Sequence, residues 1–295
     1  MRCPFDSPGE LRTHLADAAG LVIRTYTQVD EALLAQAPKL KVVGRAGVGL
    51  DNVDLDACRR RGVTVVFTPD ANTQAVAEYV VALILDALRP RVTLGAGDDA
   101  ESFHRYRRER VGTQLDTRTL GILGFGRIGK RVGRLGHALG MELLAHDLLP
   151  EAMLRQNVTY PFRCVDRATL FRDSDIVTIH VDGRPENRHL LDGPALGQLN
   201  RDCLLINTSR GMVVDADALA DWARSAAGDG ARAVLDVHDP EPPFGDVAYP
   251  LFGLANVRLL PHTASRTTQA LEAMSWVVKD VWAVLEGRAP RYKAV

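Results

Sequence analysis

Leu120-Gly121-Ile122-Leu123-Gly124-Phe125-Gly126-Arg127-Ile128-Gly129 is the stretch on which the reading of this chain turns. Its first four residues form a short apolar run that reads as a buried strand. Beyond it, Ile128, Val132, Leu135 and Leu139 recur at helical spacing. The three glycines therefore sit between a strand and a helix, the context in which G-x-G-x-x-G has meaning. Gly124 allows a tight turn, Gly126 lets the backbone approach a pyrophosphate, and Gly129 permits close packing of helix on strand. The helix start, with Arg127 and Ile128 in its first turn, presents free N–H groups and a partial positive charge to phosphates. The same glycines could close a turn with no ligand, but their flanks favour a dinucleotide.

Downstream, an apolar strand over residues 142–146 leads to Asp147, 23 residues after Gly124. A carboxylate there accepts hydrogen bonds from ribose hydroxyls and repels a 2′-phosphate. Leu148 and Leu149 follow it and offer no cation, so NAD is expected rather than NADP. Further strands are expected at 175–180, 204–207, 231–235 and 257–260, with helical patterns between them such as 215–226. Repeated β-α-β units demand a parallel sheet with helices on both faces. Upstream lies a second α/β block, with strands at 21–23, 41–43 and 63–66 and helices at 30–37 and 54–61. Long helices are expected at 72–89 and 267–286, the first ending at Arg89-Pro90.

The 295 residues suffice for two domains, and 46% hydrophobic with 25% charged residues is the profile of a globular protein. A net charge of −1 gives no reason to expect nucleic-acid or membrane binding. Cys3, Cys58, Cys164 and Cys203 lie far apart, which favours reduced thiols over disulfides or metal ligation. Residues 1–12 lack the apolar core of a signal peptide. The most apolar stretch, 75–88, is interrupted by Glu78 and Asp86 and is too short to span a bilayer. A cytoplasmic protein is expected. The arginine-rich run 105–110 reads as a solvated or subunit-contacting arm.

Three segments carry polar residues where strands end. Arg210 follows the strand at 204–207, Glu241 lies in the turn after Leu235-Asp236-Val237, and His262 follows Leu259-Leu260-Pro261. In open α/β sheets the ligand crevice lies at these carboxyl ends, which puts Arg210, Glu241, His262 and the glycine loop at one edge. His146, His180 and His238 read as structural or cleft-lining, and no metal site is expected because the histidines lack ligand spacing.

With these motifs in place, the chain resembles the D-isomer-specific 2-hydroxyacid dehydrogenase family, particularly its phosphoglycerate dehydrogenase-like branch. The resemblance runs from about Leu21 to Ala294. It includes Gly44-Arg45-Ala46-Gly47-Val48-Gly49-Leu50-Asp51-Asn52-Val53-Asp54, and the segment from Asn72-Thr73 to Ala77-Glu78. It implies a Rossmann NAD-binding domain, residues 90–266, inserted in a smaller flavodoxin-like substrate domain made of 1–89 and 267–295. His262 would exchange the proton at the carbonyl oxygen, and Glu241 would hold its imidazole in the right tautomer for acid chemistry near neutral pH. Arg210 would bind the substrate carboxylate and carbonyl. Backbone N–H groups near Gly47, Val48 and Gly49 would hold the carboxylate from the other domain as the two close. Asp236 would contact the nicotinamide carboxamide, and Val181 and Thr208 would line the cofactor cleft. Arg24 and Arg45 match positions that hold a substrate phosphate. The family also implies a homodimer, with an arm at 99–115 wrapping the partner.

Two features depart from the family pattern. Only about 20 residues precede the strand at Leu21, so either the substrate domain lacks its first strand, which would expose a sheet edge, or the start of the chain has been misassigned. After His180-Val181 the family commonly has proline and an apolar residue, where this chain has Asp182-Gly183-Arg184. The chain stops at Val295, so serine feedback through a C-terminal regulatory domain is not expected. The expected reaction interconverts a 2-ketoacid and its D-2-hydroxyacid, of 3-phosphoglycerate, glycerate or glyoxylate type. The alternative is an NAD(H)-sensing protein like the corepressors that share this fold. A formate dehydrogenase-like enzyme fits less well, since glutamine would stand at Glu241.

Overall fold

The computed structural model describes residues 8–225, 232–245 and 248–295. Cys3, Ala226, Ala231 and the first seven positions of the short N-terminal segment lie outside the described residues. The chain divides into two compact units, Met1–Asn72 with Ser265–Val295, and the continuous segment Thr73–Ala264.

The first unit is built on three parallel strands, β1 (Gly20–Ile23), β2 (Val42–Arg45) and β3 (Thr64–Phe67), lying in that order. Helices Glu31–Ala35 and Leu55–Arg60 connect them. Asp30 and Asp54, expected as the first residues of these helices, instead cap them, accepting from the Leu33 and Ala57 N–H groups. Ile23, Leu34, Val43, Cys58 and Val65 form the core here. Helix Val277–Leu285 also packs on the sheet, and its Val281 side chain fills the space where Gly44 would carry a Cβ. The last residues line β3, with Ala294 N–H donating to the Val65 carbonyl at 2.8 Å. β1 is left as the outer strand among the described residues, with Val22 45% exposed. The single helix expected at 267–286 is two, Thr268–Ser275 and Val277–Leu285. They part at Trp276, whose N–H reaches back only three residues, to Ala273.

The second unit holds a seven-stranded parallel sheet of β4 (Thr119–Leu123), β5 (Glu142–His146), β6 (Arg163–Cys164), β7 (Ile176–Ile179), β8 (Leu204–Asn207), β9 (Ala233–Leu235) and β10 (Val257–Leu259). Its order is β10-β9-β8-β7-β4-β5-β6. The winding therefore reverses between β4 and β7, and a crevice opens at their carboxyl ends. Cores on both faces, one around Phe171, Leu205 and Leu235 and the other around Ile122, Phe125 and Ile206, explain why the strands read as continuous apolar runs. β6 has only two residues, too few for any pattern to announce it. No described helix is long and apolar enough to cross a membrane.

Both boundaries differ from the expectation of 1–89 and 267–295 against 90–266, the second by only two residues and the first by a whole helix. Helix Thr73–Leu88 belongs to the second unit, because its Ala77, Val80, Leu83 and Ile84 are buried in one cluster with Phe125 and Val132. Its apolar face is satisfied by the large sheet's helices, which a sequence pattern cannot reveal.

Candidate active site

The glycine loop leaves β4 and enters helix Arg127–Ala138, whose N-cap is Gly126. Gly124 has φ +92°, and a Cβ there would lie 2.7 Å from the His180 carbonyl carbon at the end of β7. Only glycine permits both the conformation and that approach. A Cβ on Gly129 would collide with the Gly124 carbonyl, so helix and turn touch directly, whereas nothing lies within 4 Å of the same position on Gly126. That open face beside the first turn of the helix suits a pyrophosphate. Ile128 and Val181 pack partly into the cores beneath. The buried Thr208 hydroxyl, just past β8, has no hydrogen-bond partner among the described residues. This donor set fits a dinucleotide.

Asp147 stands beside the loop and is tethered to it. Its Oδ2 accepts from the Phe125 N–H at 2.7 Å and its Oδ1 from the Leu149 N–H at 3.0 Å. Sequence reasoning missed a neighbouring cation. Arg184 donates to Asp182 through Nε at 2.7 Å and through its terminal nitrogen at 2.5 Å. That bond to Asp182 is the main cause that raises the guanidinium's pKa, and the charge of Asp147 adds to it. The Asp182-Gly183-Arg184 departure thus places an ion pair within electrostatic reach of Asp147. His180, just past β7, is pushed down to about 3 by burial, with Nε2 3.0 Å from the Thr178 hydroxyl.

Across the same sheet edge, His262 Nδ1 lies 2.6 Å from Glu241 Oε1. Burial alone would raise the Glu241 carboxyl, but the hydrogen bond and charge of His262 outweigh it and hold it below its ordinary value. His262 has φ +54°, a conformation costing a non-glycine residue on the order of 1–3 kcal/mol. A third of its side chain, 33%, remains exposed, so the ring is accessible. Asp236 is fully buried, and its two oxygens accept from the Thr263 and Ala264 N–H groups at 2.9 and 2.8 Å. Burial pushes its carboxyl up against those two donors. Asp236 therefore anchors the backbone after His262, a task its position in the sequence did not suggest.

Arg210 is oriented by Asn207, whose amide donates to the Arg210 carbonyl at 2.9 Å and whose Oδ1 accepts from the Ser209 N–H at 2.9 Å. A Cβ on Gly211 would occupy the place of the His238 carbonyl, so the turn carrying Arg210 lies directly on the turn leading to Glu241. His238 itself is buried. Its Nε2 lies 2.7 Å from the Leu260 carbonyl oxygen, and its Nδ1 has no hydrogen-bond partner among the described residues.

Within the first unit, the glycine-rich turn Gly47-Val48-Gly49 follows β2. The Arg45 guanidinium folds over Gly47, filling the space a Cβ would take. Arg24 follows β1, whose Ile23 is registered opposite Arg45, so both arginines stand at one edge of that sheet.

Comparison with known proteins gives this geometry a context. The family described as D-isomer specific 2-hydroxyacid dehydrogenase, NAD binding domain, matches residues 81–264. The chain is 37% identical to an (S)-sulfolactate dehydrogenase of Chromohalobacter salexigens, over 93% of this chain and 87% of that protein. It is 35% identical to a D-3-phosphoglycerate dehydrogenase of Archaeoglobus fulgidus, over 92% of this chain but only 50% of the relative's length. Among solved structures, a D-lactate dehydrogenase from Aquifex aeolicus, complexed with NAD and lactic acid, superimposes with a TM-score of 0.79 at 28% identity. That match covers 94% of this chain and 85% of the other. Glycine loop, parallel sheet and matched relatives agree: the chain belongs to the D-isomer specific 2-hydroxyacid dehydrogenase family, and its second unit is that family's NAD-binding domain.

Proposed function

We propose that this chain is an NAD-dependent dehydrogenase for D-2-hydroxyacids that carry a second anionic group, a phosphate or a sulfonate, with Arg210, Glu241 and His262 as its catalytic residues. The observation that carries the chemistry is the 2.6 Å contact between His262 Nδ1 and Glu241. With Nδ1 committed to the carboxylate, Nε2 is the nitrogen left to hand a proton to a substrate carbonyl oxygen or to remove one from a hydroxyl. Arg210 supplies a planar, permanently charged fork for the substrate carboxylate. Gly124, Gly126, Arg127, Ile128 and Gly129 hold the pyrophosphate of the cofactor, Asp147 its ribose, and Val181, Thr208 and Asp236 the remainder. NAD, when bound, accepts or supplies the hydride at the substrate carbon.

The second anion is argued from Arg24 and Arg45 at one sheet edge beside Gly47, Val48 and Gly49, and from relatives whose names are those of sulfolactate and phosphoglycerate dehydrogenases. The matched proteins described above are all dehydrogenases, which leaves the corepressor alternative without support. The same proposal includes a cytoplasmic homodimer. Helix Ala100–Glu109 buries none of its side chains within the chain and leaves Phe103 exposed, as a partner-wrapping arm would.

Oxidation of NADH in the presence of sulfopyruvate, phosphohydroxypyruvate, hydroxypyruvate, pyruvate and glyoxylate tests the reading. The two substrates with a second anion should show kcat/KM higher by about tenfold or more, the worth of one charged hydrogen bond. His262→Ala should lower kcat by about two or more orders of magnitude and leave NADH affinity unchanged. Equal activity in the variant would remove His262 from the mechanism, and equal kcat/KM across the panel would remove the second anion.

A further inference from the structure

A histidine held at φ +54° needs its neighbours to over-determine it. Ties on both sides of His262 do so. Two residues before it, the Leu260 carbonyl accepts from His238 Nε2 at 2.7 Å, and His238 is only 7% exposed. Directly after it, the Thr263 and Ala264 N–H groups donate to the buried Asp236 carboxylate. A third tie comes from far away in sequence. The Tyr79 hydroxyl, in the middle of helix Thr73–Leu88, lies 3.0 Å from the Thr263 hydroxyl. Burial pushes the Tyr79 phenol up, and the nearby Asp236 carboxylate acts in the same direction, so the phenol stays protonated.

These ties have a directional effect. Asp236, His238 and Glu241 all come from the segment leaving β9, while Leu260, His262 and Thr263 come from the one leaving β10. Apart from the Glu241 contact with the imidazole, the first segment holds the second at backbone atoms, at the Leu260 carbonyl and the Thr263 and Ala264 N–H groups, and these ties would leave the Thr263 side chain free to turn the peptide that follows His262. Tyr79 removes that freedom, because its neighbours Val80 and Leu83 are locked in the core. We propose that Tyr79 and His238 are positioning residues for His262, holding Thr263 and Leu260 so that the imidazole stays on Glu241 with Nε2 presented outward. The proposal rests on the reading of His262 as the proton donor.

Steady-state kinetics and NADH affinity of Tyr79→Phe, His238→Phe and His238→Gln, each in the wild-type chain and together with His262→Ala, test it. Tyr79→Phe and His238→Phe should each lower kcat by about threefold to tenfold, the size of one lost hydrogen bond, with NADH affinity unchanged. His238→Gln keeps a donor for the Leu260 carbonyl and should recover most of that loss. In the His262→Ala chain neither change should reduce the residual rate further, because no imidazole is left to position. An equal fractional loss with and without His262 overturns the proposal, as does no loss at all. Should Tyr79→Phe fail to fold, His238→Phe and His238→Gln decide: equal kcat for those two overturns the proposal. If His262→Ala alone is as active as the wild type, the proton-donor reading falls and the proposal with it, a failure distinct from the others.

Discussion

Asp147 shows how one residue can serve two purposes that only the structure separates. Its position at the end of β5, 23 residues beyond Gly124, is readable from spacing, and so is the proposal that it disfavours a 2′-phosphate. Its bond to the Phe125 N–H is not readable, nor is the presence of Arg184 nearby, since both depend on how the turns after β4, β5 and β7 meet. Asp147→Ala removes the repelling charge and the tether together. Asp147→Asn removes the charge and keeps an acceptor. Both should narrow the NADH/NADPH affinity ratio, by about one order of magnitude for a charge pair near a surface, and the asparagine should retain more NADH affinity. Fluorescence titration with both cofactors measures this, and an unchanged ratio in both variants would take Asp147 out of the discrimination. Arg210, Glu241 and His262 could be singled out as candidates for a different reason: each follows a strand, and parallel strands deliver their successors to one edge. Tyr79 was passed over, and the backbone ties of His238 and Asp236 were not foreseen, because a residue that holds backbone has no characteristic spacing.

At the scale of elements, the contact between the turns after β8 and β9 is the least forgiving. Gly211 touches the His238 carbonyl, and Asn207 clamps the first turn from both sides, so neither can step away freely. On the proposed roles of Arg210 and Glu241, Gly211→Ala should displace one of them and lower kcat/KM by about a hundredfold, as expected when groups that act on the substrate are misplaced by roughly 1 Å. Kinetics alongside a melting curve check this, and wild-type kcat/KM in a folded variant would show that the turns part at no cost. Apart from the two-residue β6, strand existence was clear from apolar runs, but boundaries were not. Asp30 and Asp54 look like helix and act as caps, and the break at Trp276 leaves no mark in an apolar pattern that continues across it.

For the whole molecule, acid sensitivity has an identifiable contributor in His180. Folded, its imidazole is pushed down to about 3 by burial, against an ordinary value of 6.5. The unfolded chain therefore takes up a proton that the folded chain refuses. The stabilising contribution is complete above pH 6.5 and declines as pH falls toward 3. His180→Asn should flatten the loss of stability below pH 6.5, as followed by urea unfolding at a series of pH values. An unchanged slope would mean that His180 is protonated in the folded protein. The two-unit plan itself was legible from two separate α/β blocks. The seam at Asn72 was not, because helix Thr73–Leu88 looks the same whichever core it serves.

That seam has a consequence for how the molecule is made. The second unit is one uninterrupted segment, Thr73–Ala264, and can fold as it emerges from the ribosome. The first cannot. Strands β1 to β3 are translated early, yet Val281, which packs on Gly20 and Gly44, and Ala294, which bonds to Val65, arrive only after the whole of the second unit. Its nascent sheet must wait, half-covered, through the synthesis of its neighbour, and its apolar strands are the part of this protein most in need of a chaperone.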